Sequence, residues 1–219
     1  MTTERTCLAD RVTKSLLGYG VTAALVYVIS VGVQMATRDG YDPTRHVASQ
    51  LANGDLGWVQ IATFEIAGAM TIAAAVGIRR ALGRGRSSAW GSALIGGYGL
   101  GLMAAGMFRA DPSDGFPPGT PAGVAEPSWH GVAHFAAAGL GFVCLVAACF
   151  VLGAWFARDG HTGLAWFSRI TGAVFAGSFV VMSAGPNPAV ILLFTAAVVL
   201  AWVWLAAVSA TLYRAVGAT

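Results

Sequence analysis

The chain has 219 residues, 56% of them apolar and only 11% charged, with a formal net charge of +3 and a mean hydropathy of +0.67. Soluble domains carry about 25% charged residues, so this composition excludes an ordinary water-exposed surface, and the small, dispersed positive charge gives no footprint for nucleic acid. No Asp, Glu, Lys or Arg occurs between Ile170 and Tyr213, a stretch long enough for two membrane crossings, since roughly 20 residues span the hydrocarbon.

Apolar runs and their interruptions predict an all-α, polytopic membrane bundle of six transmembrane helices, at about 16–36, 57–78, 90–108, 129–156, 164–184 and 189–213. Residues 1–15 are expected to form a cytoplasmic segment before the membrane domain of 16–213, and 214–219 a cytoplasmic tail. The first run is longer than a signal-peptide core and has no small-residue cleavage pattern after it, so it is expected to stay in the mature protein. Cys7 precedes the first span while Cys144 and Cys149 lie in the fourth, a spacing that predicts free thiols rather than a disulfide framework.

Arg5, Arg11, Lys14, Arg79, Arg80, Arg84, Arg86, Arg158 and Arg214 fall on one side of such a bundle, and Arg38, Arg45 and Arg109 on the other. Positive residues favour the cytoplasm, so both termini are expected there. The opposite side carries Asp39, Asp42, Asp55, Asp111, Asp114 and Glu126, which gathers oxygen ligands outside. Trp58, Trp90, Trp129, Trp155 and Trp166 lie near span ends, where indoles favour the headgroup layer. Trp202 and Trp204 sit deeper and are expected to contact other helices or lipid. Arg169, close to the start of span five, is expected to snorkel.

Span three places Gly97, Gly101 and Ala105 on one face, a small-residue stripe that lets helix backbones approach. The chemistry concentrates in the segment from Phe108 to His134. His130 and His134, at i and i+4, share one helix face, as a metal site or proton relay would need. Asp111 enters from the preceding span on the same side, with Asp114 and Glu126 nearby. The alternative is a pair of interfacial histidines that hydrogen-bond the loop and seat the helix. The zinc-peptidase pattern is excluded, because Gly131 stands where its glutamate would follow His130.

Glu65 lies well inside span two, where an unpartnered carboxylate is costly. It is expected to face the bundle, with His134 as its partner or with the carboxyl protonated. Ser49, Asp55 and the Asn53-Gly54 turn belong to a loop that could fold over the 108–134 segment. His46 in that loop reads as an exposed histidine.

Ser49 to Leu51, the run Phe108-Arg109-Ala110-Asp111-Pro112 and the His130-Gly131-x-x-His134 start of span four resemble the bacterial and archaeal membrane-protein family called domain of unknown function 998, along most of the chain. That resemblance implies six spans, in the plasma membrane of a bacterium, and no assigned activity. The inventory of Ser49, Asp111, His130 and His134 is also similar to that of zinc-binding membrane hydrolases such as alkaline ceramidases and adiponectin-type receptors. Those have seven crossings and a further histidine in a span, which this chain lacks.

Three readings follow. The first is an outward-facing polar pocket that binds a small molecule, lipid headgroup or metal through Asp111, Asp114, His130 and His134, with membrane lipids around it. The second is an intramembrane hydrolase of a lipid amide or ester, with zinc as cofactor on Asp111, His130 and His134. Its metal would activate a water, with Glu65 or Ser49 in catalytic support. The third is a proton-coupled transporter using Glu65 and the histidines. The sequence does not fix the ligand or the oligomeric state.

Overall fold

A backbone immersed in hydrocarbon must satisfy its own amides and carbonyls, which leaves helix as the solution for isolated apolar runs. The computed structural model describes residues 2–123 and 126–217, so positions 218–219 of the expected tail and 124–125 of the loop lie outside the described residues. Six long helices fill it: α1 (Thr2–Thr37), α2 (Gly57–Ala81), α3 (Arg86–Met107), α4 (Trp129–Arg158), α5 (Thr162–Ala184) and α6 (Pro188–Ala215). Five of them are long and apolar enough to cross a membrane. The sixth, α3, is 22 residues long; its glycines dilute its hydropathy.

Local chemistry sets the ends. Ser128 caps α4, its side chain accepting from the Gly131 amide. Asn187 caps α6 by accepting from the amides of Ala189 and Val190, and Pro188 occupies the first turn, where no amide is needed. Gly83 and Gly160 take left-handed φ angles of 68° and 83° in the tight links 82–85 and 159–161. The helix α1 begins far earlier than its apolar run, because hydropathy registers only the part that suits lipid.

Each helix packs on its neighbours in sequence, and α6 closes the ring against α1 while also touching α2. The closure holds Tyr27, Tyr98 and Trp202 together at the centre, with Tyr27 stacked on Trp202 at 4.7 Å between ring centroids. Trp202 and Trp204 are therefore packing residues, both at most 1% exposed. Trp204 also donates its indole N–H to the buried Ser168 hydroxyl at 2.9 Å, tying α6 to α5. Arg169 lies with its guanidinium 5.3 Å from the ring centre of Trp166.

The expected stripe on α3 faces α4. A Cβ on Gly101 would lie 2.7 Å from the Cα of Gly141, and one on Gly97 would lie 2.9 Å from the sulfur of Cys144. The other side of α3 is just as close to α2, where a Cβ on Gly99 would lie 2.8 Å from the carbonyl oxygen of Gly68. Dispersion across such contacts holds helices together where lipid removes the hydrophobic drive. Around the outside of the ring, Leu25, Ile29, Val33, Leu100, Leu140, Val143 and Val180 are exposed, an apolar belt that belongs against lipid tails rather than water. All three cysteines are free thiols.

Candidate functional site

At the end of the bundle away from the termini, the described residues of the long connections 38–56 and 108–128 fold against each other as a cap. Its core is Phe116, fully buried, with the Tyr41 ring edge-on at 5.3 Å and the His46 ring at 5.4 Å. The Arg38 guanidinium lies 5.6 Å from the centre of the Phe116 ring and donates to the carbonyls of Leu51 and Asn53. His46 is 1% exposed, which corrects the expectation of an exposed loop histidine. Its Nδ1 accepts from the Asp42 amide at 2.9 Å, so the proton sits on Nε2, which donates to the Asp114 carbonyl at 3.1 Å. Burial pushes the Tyr41 hydroxyl's pKa up, and this hydroxyl donates to the His46 carbonyl at 2.7 Å. Gln50, in a single 3-10 turn at Ala48–Ala52, donates to the Ser113 hydroxyl, and Asn53 donates to the Ala110 carbonyl at 3.0 Å. The loop does fold over the 108–118 stretch, through Asn53 of the expected turn and through Gln50, which spacing and composition do not single out. Ser49 is half-buried in the same turn.

Asp114 takes a left-handed φ of 54° and meets Arg45, which donates from Nε to Oδ2 at 3.1 Å and from Nη2 to Oδ1 at 2.9 Å. Those bonds, then one from the Gly123 amide, hold the Asp114 carboxyl below its ordinary range, and the Thr44 hydroxyl and amide do the same for Asp42. A carboxyl lowered on folding contributes stability that is complete above its unfolded value and lost as the pH falls through the folded one. The apparent melting temperature is expected to fall on acidification through the low carboxylate range. Asp114→Asn should melt lower at neutral pH, with the gap to the natural protein closing in acid; a gap of constant size contradicts this.

Beneath the cap, two of the residues expected to form a metal or ligand site, Asp111 and His134, join the end of α3 to the start of α4. Asp111 accepts from the Ser128 amide at 2.9 Å and from its hydroxyl, so the carboxylate stands behind the cap of α4, at the positive end of the helix. A Cβ on Gly131 would lie 2.0 Å from the Asp111 Oδ2; glycine at this position is what admits the carboxylate. One turn deeper, His134 is 3% exposed. Its Nδ1 lies 2.9 Å from the carbonyl oxygen of Ala105 and 2.8 Å from that of Phe108. Carbonyls only accept, so Nδ1 carries the proton, and the ring satisfies backbone oxygens that the end of α3 leaves without helical partners. His130, by contrast, is exposed and lies against Trp129, ring centres 3.6 Å apart.

Glu65 is half-buried in the groove between α2 and α3, where a Cβ on Gly106 would lie 2.8 Å from its Oε1. The expected pairing with His134 is not made: no hydrogen bond joins the two, and the imidazole N–H is committed to α3. The polar contact inside this end of the bundle lies elsewhere. Gln34 of α1 donates to Gln60 of α2 at 2.8 Å, and the Ser30 and Thr63 hydroxyls are 2.7 Å apart. Among the described residues no three His, Cys, Asp or Glu side chains are placed to share a metal ion, so the geometry does not bring Asp111, His130 and His134 together as a zinc site.

Over this clasp lies an open groove of about 540 Å³ lined by Asp111, Pro112, Pro118, Gly119, Thr120, Pro121 and Glu126. The family model of a protein of unknown function, DUF998, matches residues 21–211. The chain belongs to that family. The DUF998 match takes in the whole cap, the clasp and Glu65. No curated protein and no solved structure matches the chain.

Proposed function

We propose that this protein is a six-span, multi-pass component of a bacterial plasma membrane, with both termini in the cytoplasm, whose outward cap binds a small cationic ligand. The topology rests on the excess of basic residues at the end that carries the termini. The binding role is carried by one observation. Among the described residues, the groove above the clasp, about 540 Å³, is lined by two carboxylates, Asp111 and Glu126, and by no basic side chain. Its size suits a small molecule. The prolines and Gly119 of its lining give apolar walls with few rotamers to freeze on binding, while the carboxylates supply charge for an amine or metal cation. Asp111 is joined to the start of α4 through Ser128, and Arg45, a neighbouring cation, is occupied by Asp114 at 2.9 Å.

Calorimetric titration of the purified protein with putrescine, tetramethylammonium and Ca²⁺ tests this. Saturable binding of at least one of these cations is expected, weakened about fivefold or more in Glu126→Gln, since a close charge pair partly removed from water contributes on the order of 1 kcal/mol. Glu126 is exposed, so this variant leaves the clasp in place. No binding of any of the three, or equal binding by the variant, overturns the proposal.

A further inference from the structure

The opposite end of the bundle, which carries the termini, holds a second recess. It measures about 300 Å³ and lies between the 82–85 link, the first turn of α3 and the last turn of α4; Arg84, Arg86, Ser87, Trp155, Arg158 and Asp159 line it. None of the three arginines has a carboxylate within 4.0 Å among the described residues. The single acid in the lining, Asp159, lies 3.2 Å from the Nδ1 of His161.

Arg79, Arg80, Arg84, Arg86 and Arg158, around the recess, divide into two groups by what they already hold. Arg79 is spent on the Gly83 carbonyl and, at 2.9 Å, the Ser88 hydroxyl; Arg80 is spent on the Thr13 hydroxyl at 2.9 Å and the Ala9 carbonyl at 3.3 Å. These two fasten helix ends. Arg158 is held in place by bonds from Nε to the Ala154 carbonyl at 3.1 Å and from Nη2 to the Ser87 hydroxyl at 2.7 Å. Three of its five N–H donors remain for a guest, because a guanidinium carries five. Arg84 and Arg86 are exposed and face the same recess. The first turn of α3 belongs to the lining; the residue before it, Gly85, provides no side-chain cap, and the first amides of any helix lack intrahelical partners.

A guest for this recess must be anionic, must accept several hydrogen bonds at once, and must lie at the height of the lipid headgroups. That height is set by Trp90, one turn into α3 and 59% exposed, and by Trp155 in the wall, since indoles settle at the interface. Guanidinium groups recognise phosphate oxygens bidentately, helix N-termini add amides and a favourable dipole, and basic recesses between membrane helices accept anionic headgroups. We propose that Arg84, Arg86 and Arg158 form a binding site for a phosphate group, carried by an anionic lipid or free in solution.

The test compares retention of phosphatidylglycerol and phosphatidylcholine by the purified protein, read by native mass spectrometry. Three proteins are needed: the natural one, Arg84→Ala/Arg86→Ala, and a control in which Arg11→Ala/Arg214→Ala removes the same charge at the same end outside the recess. Arg84 and Arg86 are chosen because removing Arg158 would also cut its bond to Ser87. Phosphatidylglycerol is expected to lose about tenfold or more in affinity in the recess variant, since each arginine that bonds the phosphate directly contributes roughly fivefold or more, and less than threefold in the control, whose arginines lie outside the recess. Equal losses in the two variants would mean diffuse attraction to the basic surface and would overturn the site, as would retention of the two lipids alike by the natural protein. Competition with inorganic phosphate identifies the carrier: displacement of the lipid at millimolar phosphate assigns the site to free phosphate, and resistance to it assigns the site to the lipid.

Discussion

His134→Phe is expected to destabilise the protein by about 2–4 kcal/mol, seen as a clear fall in the apparent melting temperature, whereas His130→Phe should change it by less than about 0.5 kcal/mol. Each carbonyl left buried without a donor costs about 1–3 kcal/mol, and the His134 N–H serves two of them, on Ala105 and Phe108. Phenylalanine fills much of the imidazole's volume but donates nothing, which separates the lost bonds from a packing void. His134→Gln, with an amide donor of its own, should recover part of the loss. The exposed position of His130 is of the kind where substitutions have small effects. A shared metal site makes the opposite forecast. Both histidines would then matter alike, and a chelator would lower the melting temperature of the natural protein. Equal losses from the two substitutions, accompanied by that sensitivity to chelator, would discard the structural role assigned to His134.

The same pair marks where sequence reasoning stops. Spacing of i and i+4 puts His130 and His134 on one side of a helix, and that much is present. Spacing cannot say where the neighbouring helix ends. The helix α3 stops at Met107; His134 is level with its last carbonyls while His130, about 6 Å further along the axis, stands past them. Asp111 and His134 share a chemistry that spacing does not name, polar side chains fitted to helix ends. The helices themselves were legible because hydropathy follows directly from the demand of a bilayer for internally bonded backbone. Even there α3 was the least apolar, since Gly99 and Gly101 lower its hydropathy while admitting the backbones of α2 and α4. The cap was the least legible part. His46 is buried only because Phe116 and Asp114, about 70 residues away in sequence, are brought onto it, and nothing local to Asp42-Pro43-Thr44-Arg45-His46 signals that contact.

The clasp makes a second forecast that depends on coupling rather than on size alone. Asp111→Ala removes the acceptor of the Ser128 amide and hydroxyl and a negative charge from the start of α4, for an expected loss of about 1–3 kcal/mol. Gly131→Ala should cost a similar amount by a different route. Its new Cβ would stand 2.0 Å from the Asp111 Oδ2, so the carboxylate must leave and the same bonds break. In the absence of Asp111 the obstruction disappears, while alanine remains a better helix residue than glycine by up to about 1 kcal/mol. Gly131→Ala introduced into Asp111→Ala is thus expected to be neutral or stabilising, giving a double-mutant coupling on the order of 1–3 kcal/mol. Thermal unfolding of the four proteins in one detergent measures it. Strictly additive losses would mean that the carboxylate and the Gly131 backbone do not meet, and the polar join between the end of α3 and the start of α4 would rest on His134.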